Sequence, residues 1–199
     1  FRAHGTIPEL WVEAGRKDLI IVDATCPLVH EIHDEIKKLD VEGRKLIIIG
    51  DHGHDEVVAI RAQVTEAIII ASIAEAEALP RMKKAGVVSQ STQMIENVQE
   101  IIGILSMKIF DLRFVNTVCF PTRRNQGQIK ELAPISDVMI IVGSFTSANT
   151  KRLHEVSLGL NPHSYMVESA SDIKESWFDE AESAGVSAGA SSPDDLIQE

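Results

Sequence analysis

Two cysteines, Cys26 and Cys119, stand in similar surroundings. Each follows a short apolar run and precedes a proline, as Val22-Asp23-Ala24-Thr25-Cys26-Pro27 and Val115-Asn116-Thr117-Val118-Cys119-Phe120-Pro121. A thiol at a strand-to-helix turn meets helix N-terminal amides that stabilise its thiolate, a position suited to metal ligation. The alternative is a buried thiol packed as a small hydrophobe. Two thiolates complete neither an iron–sulfur cluster nor a structural zinc site, which take three or four ligands, so a third donor is expected from outside these residues.

A second group, His52-Gly53-His54-Asp55-Glu56, follows Ile47-Ile48-Ile49-Gly50-Asp51. Histidine titrates near neutral pH and a desolvated glutamate can hold a proton, so this string can bind an anion and pass a proton. A polar surface turn, or a zinc site of His52, His54 and Glu56, would use the same residues. His4, in Arg2-Ala3-His4-Gly5-Thr6, has no reading by itself. His33 lies between Val29 and Ile36 at helical spacing and is expected to be a satisfied helix-face histidine. Hydroxyl-rich turns form the third group, at residues 89–92 with Ser91 and Thr92, 144–150 with Ser147 and Asn149, and 187–192 with Ser191. Such residues at helix starts cap backbone amides and also build phosphate sites. Neither Gly-x-Gly-x-x-Gly nor Gly-x-x-x-x-Gly-Lys-Ser/Thr occurs, so a nucleotide cradle has no support.

The elements that must position these groups are legible as alternation. Short, nearly all-apolar runs at 19–22, 46–49, 68–70, 86–88, 109–115, 138–142, 165–167 and 185–187 read as strands buried on both faces. Between them, helical spacing runs through Val29, Ile32, Ile36 and Leu39, and through about 73–84, 92–104, 125–132 and 148–160. Strands alternating with helices predict an α/β fold with mostly parallel sheets, two similar lobes each offering a cysteine at a strand's carboxyl end, and a boundary near 110–118.

Composition bounds the function. With 19 Lys+Arg against 30 Asp+Glu the net charge is −11, which argues against a basic grip on nucleic acid. The longest apolar runs fall far short of the roughly 18 to 20 residues of a membrane helix, and no export signal precedes residue 20, which points to a cytoplasmic protein. A start at Phe1 without Met, and a last stretch from Ser192 that reads as a helix beginning, suggest a fragment.

Asp23-Ala24-Thr25-Cys26-Pro27-Leu28-Val29, Gly53-His54-Asp55-Glu56 and the run 185–194 together resemble the LytB-type 4-hydroxy-3-methylbut-2-enyl diphosphate reductases of the non-mevalonate isoprenoid pathway. The resemblance runs in order from Ala3 to the end and implies a chain lacking roughly the first quarter and the C-terminal tail. It implies three α/β lobes around a 4Fe-4S cluster held by one cysteine per lobe, so that residues 1–25 are a remnant of the first lobe, 26–115 the second and 116–199 the third. Cys26 and Cys119 would be two of the cluster ligands, with the third absent from this chain. His4, His54, Ser147, Asn149 and Ser191 would hold the substrate diphosphate, Ser91 and Thr92 would lie by the substrate hydroxyl, and Glu56 would relay protons. Ferredoxin or flavodoxin would supply two electrons, and isopentenyl and dimethylallyl diphosphates would be the products. Ala148 stands where the family usually has Ser, Ser91 where it has Thr, and Thr122-Arg123-Arg124-Asn125-Gln126 alters the usual order after the cysteine. The isolated chain is expected to be inactive. The alternatives are a diverged, non-catalytic α/β module that binds a phosphorylated small molecule, and a zinc or thiol-redox protein using Cys26, Cys119 and His54.

Overall fold

The computed structural model describes residues 1–190 and 192–198, and the chain divides into two compact units, Phe1–Val118 and Cys119–Glu199. The first unit runs α1 (Pro8–Arg16), α2 (Pro27–Val41), β1 (Lys45–Ile49), α3 (Asp55–Arg61), β2 (Ile68–Ile70), α4 (Ile73–Ala78), β3 (Met82–Ser89), α5 (Ile95–Lys108) and β4 (Ile109–Phe114). Its four strands form an all-parallel sheet in the order β2-β1-β3-β4. Successive side chains of β1 point to opposite faces. Ile47 and Ile49 pack with Ile101 and Leu105 of α5, whereas Leu46 and Ile48 pack with Ile32, Ile36 and Leu39 of α2. Helices cover both faces, which is why the strand reads as an unbroken apolar run rather than an alternating one. Gly86 in β3 lets α2 approach, since a Cβ there would meet Leu39 at 2.9 Å.

The second unit runs α6 (Phe120–Leu132), β5 (Val138–Val142), α7 (Ala148–Leu160), β6 (Ser164–Val167), β7 (Ala184–Ala188) and α8 (Asp194–Gln198), with single 3₁₀ turns at Ala133–Ile135, Ala170–Asp172 and Glu175–Trp177. Its sheet is parallel in the order β6-β5-β7. Val138, Ile140, Val142 and Val167 form one core cluster, against which Tyr165 and Trp177 stack. In both units the carboxyl ends of the strands share one sheet edge, where α/β proteins bind ligands.

Several elements differ from the sequence expectation. The 19–22 run forms no strand and pairs into no sheet, and Ile20 is 95% exposed. The expected helix over 73–84 is instead α4 followed by β3. Pro80 disfavours helical backbone at Leu79, which is extended at φ −64° and ψ 141°. The helix expected from residue 92 begins at Ile95 with Met94 at its N-cap. Helices α1 and α3 lie where no helix was expected; both are short, and α3 is built on the charged string after β1.

Candidate active site

In the first unit the site residues gather beyond the ends of β1 and β3. Gly5 adopts a left-handed φ of +81°, and a Cβ there would meet His33 Cε1 at 2.9 Å. Glycine is therefore required both by conformation and by contact with α2. This turn, closed by Gly5 N–H donating to Arg2 O at 3.0 Å, brings His4 edge-on to His54, with ring centroids 5.4 Å apart. Ala3 is tied to the other motif, because Cys26 N–H donates to Ala3 O at 3.0 Å. Cys26 is half-buried and is the N-cap of α2, with Pro27 in the first turn.

His54 is the N-cap of α3, and its Nδ1 accepts from Glu56 N–H at 3.2 Å. That cap turns Glu56 inward, where it is 1% exposed. Ser91 completes the arrangement: its N–H donates to Glu56 Oε1 at 2.6 Å and its hydroxyl to Glu56 Oε2 at 2.7 Å. A buried carboxyl is tolerated only with such partners. Gln90, also buried, joins the two strand ends. Its Oε1 accepts from Asp51 N–H at 2.9 Å, and its Nε2 donates to Thr92 Oγ1 at 3.0 Å. Thr117 in turn clasps the end of β3, accepting from Ser89 N–H at 2.7 Å and donating to Ser89 O at 2.6 Å.

In the second unit Cys119 is the N-cap of α6. Its Sγ accepts from Thr122 N–H at 3.4 Å and lies 3.0 Å from Thr122 Oγ1. Thr122 is fully buried and its hydroxyl donates on to Asn149 Oδ1 at 3.4 Å. Ser147 caps α7, accepting from Thr150 N–H at 3.3 Å. Gly143, at φ +149°, packs against Thr150, whose Oγ1 lies 2.5 Å from where a Cβ would sit. Two buried atoms here have no hydrogen-bond partner among the described residues, Asn149 Nδ2 and Thr150 Oγ1. Buried donors left over at a helix N-terminus are what an anion would satisfy. Ser191 lies outside the described residues.

Other expectations are corrected. His52 turns away from His54 and pairs with Glu75, Nε2 to Oε2 at 2.8 Å, and among the described residues no three His, Cys, Asp or Glu gather to hold a metal. His33 is buried but not satisfied, since its Nε2 has no partner. Burial, reinforced by the positive charge of Lys37 and by His30, lowers its pKa from 6.5 to about 4. Sequence reasoning did not single out Gln90, Thr117, Thr122 or Thr150. Thr122 carried a usable signal, because it stands three residues after an N-cap thiol, where a backbone N–H meets the cap.

The two thiols suit a soft metal group. Both are free, half-buried and at helix N-caps. Each is a donor of the type that iron–sulfur clusters take.

Comparison with known proteins gives the family. The model of the LytB protein family matches residues 1–199. A 4-hydroxy-3-methylbut-2-enyl diphosphate reductase of Geobacter sulfurreducens is 40% identical over 199 residues, all of this chain and 71% of the relative. One from Aquifex aeolicus is 35% identical over 202 residues, again all of this chain and 70% of the relative. Among solved structures, the corresponding reductase from Plasmodium falciparum superposes with a TM-score of 0.93 at 26% identity, covering 98% of this chain and 63% of that one. A second solved diphosphate reductase, described as the terminal enzyme of the non-mevalonate pathway, gives a TM-score of 0.64 at 36% identity, with 99% and 72% covered. The chain belongs to the LytB family.

Proposed function

We propose that this chain is the part of a 4-hydroxy-3-methylbut-2-enyl diphosphate reductase that carries the proton source, most of the diphosphate donors and two of three cluster thiolates. Residues 1–25 would then be the end of a lobe whose remainder, with the third thiolate and a further histidine, lies outside these 199 residues. The observation that carries the reading is the buried Glu56–Ser91 pair at the ends of β3 and the β1–α3 turn, beside the His4–His54 edge contact.

Cys26 and Cys119 would hold a 4Fe-4S cluster, which supplies electrons one at a time and an open iron as Lewis acid when bound. The chain's own residues do the rest. His4, His54, Ser147, Asn149 and Ser191 bind the diphosphate through neutral and charge-assisted hydrogen bonds, so a site in a chain of net charge −11 needs no basic patch. Removal of the substrate hydroxyl as water consumes two electrons and two protons, and leaves isopentenyl or dimethylallyl diphosphate. Glu56 relays a proton, and Ser91 Oγ, 2.7 Å from Oε2, links it toward the departing oxygen while Thr92 extends the hydroxyl row. Burial around Glu56 and Ser91 keeps bulk water from short-circuiting the transfer. Free thiols and electron delivery by a ferredoxin or flavodoxin both suit the reducing cytoplasm. No helix among the described residues is long and apolar enough to cross a membrane.

The test is turnover of the full-length, cluster-loaded reductase with a reduced donor. Glu56→Gln is expected to keep the cluster and lower kcat by about 10²–10⁴-fold, the usual contribution of a general acid. Wild-type turnover in that variant would refute the assignment of Glu56. A Cys119→Ser variant that retained full iron and full activity would refute the reductase reading as a whole.

A further inference from the structure

Asn149 is 6% exposed, and among the described residues its Nδ2 has no hydrogen-bond partner while its Oδ1 is met by the hydroxyl of Thr122. An amide has one acceptor end and one donor end, and only the donor end is useful to an anion. What fixes which end faces the α7 N-terminus is therefore the partner on the other side. Thr122 is held for that task from three directions. It is fully buried, its N–H donates to Cys119 Sγ at 3.4 Å, and its hydroxyl has Cys119 Sγ at 3.0 Å on one side and Asn149 Oδ1 at 3.4 Å on the other. A hydroxyl carries one hydrogen and two lone pairs. With the thiol protonated, S–H can donate to Oγ1 and the hydroxyl hydrogen goes to Asn149. The sulfur has the Thr122 N–H as a donor in its own right, and the hydroxyl hydrogen points to Asn149 Oδ1.

We propose that Thr122 is a positioning residue that pins the Asn149 amide by its oxygen, so that Nδ2 is presented to the substrate diphosphate, and that this hydroxyl links the anion site to the Cys119 ligand. The inference rests on the diphosphate assignment made above and adds a residue that acts through Asn149 without touching the substrate. It also compensates for Ala148, which offers no hydroxyl at the first position of α7: with fewer donors available, the direction of the one amide matters more.

The probe is inorganic pyrophosphate, titrated calorimetrically into the full chain and into Thr122→Val, Thr122→Ser, Asn149→Ala and the Thr122→Val/Asn149→Ala pair. Valine keeps the shape and removes the hydroxyl, and serine restores it. Thr122→Val and Asn149→Ala are each expected to weaken binding about tenfold, within the range of a lost charge-assisted hydrogen bond. The double variant is expected to be no weaker than Asn149→Ala, and Thr122→Ser to bind like wild type. A merely structural role for Thr122 would instead add its loss to that of Asn149, and serine would not rescue it. Near-wild-type binding by Thr122→Val while Asn149→Ala is impaired, or full additivity in the pair, overturns the inference and leaves the diphosphate assignment standing. No binding by the wild-type chain overturns both. In the cluster-loaded reductase the same link is read as a pyrophosphate-induced change in midpoint potential, present in Thr122→Ser and lost in Thr122→Val.

Discussion

At the scale of single residues the site is built from groups that burial would penalise if they stood alone. Glu56 is accommodated because Ser91 meets both of its oxygens and His54 caps the turn that directs it inward. His33 shows the opposite case, a buried ring with one nitrogen unmet. Its pKa of about 4, depressed first by burial and then by Lys37 and His30, sets a pH effect with a definite sign. Between 6.5 and about 4 the unfolded chain takes up a proton at this residue and the folded chain does not, so its contribution to stability is lost on acidification across that window. Thermal unfolding of wild type and His33→Leu from pH 7 to pH 4 checks this. The variant is expected to match wild type or exceed it at pH 7, because an apolar side chain leaves no orphaned nitrogen, and to lose less Tm toward pH 4. A constant difference across the range would count against it.

At the scale of elements, the loops after β5 and β1 decide where the helices begin. Gly143 is the clearest instance: φ +149° is uncommon for a residue with a Cβ, and a Cβ would press on Thr150 at the first turn of α7. Gly143→Ala is therefore expected to destabilise the second unit by about 1–3 kcal/mol and, by displacing Ser147 and Asn149 with the helix, to abolish pyrophosphate binding. Chemical denaturation and the calorimetric titration measure the two effects, and unchanged binding would show that the helix start tolerates the shift. The first unit uses Gly5 and the His54 cap in the same manner, to set His4 and Glu56 against the ends of the sheet.

At the scale of the whole molecule, the 19–22 segment is the conspicuous exposed feature. Its four residues are apolar and lie outside any regular element, with Ile20 and Val22 at 95% and 72% exposure, and Leu10, Trp11 and Val12 of α1 are exposed as well. An exposed apolar run outside any sheet offers surface for association with another strand. The chain as it stands is expected to self-associate in sedimentation velocity, and Ile20→Lys/Val22→Lys to shift it toward monomer without lowering Tm. A monomeric wild type at tens of micromolar would contradict this.

What the sequence determined by itself was the α/β class, the parallel sheets and most strands, because doubly covered strands must be short apolar runs and covering helices must carry a 3.6-residue stripe. It also placed Cys26 and Cys119 at helix starts and marked His4, His54, Glu56, Ser91, Ser147 and Asn149 through motif strings specific enough to identify a family. Only the tertiary structure decided the partners. That Glu56 is met by Ser91, 35 residues away, and Asn149 by Thr122, 27 away, depends on which strand ends lie side by side. Likewise the 19–22 run satisfies every local rule for a strand and yet pairs with none, because sheet membership is conferred by a neighbouring strand and not by the run itself.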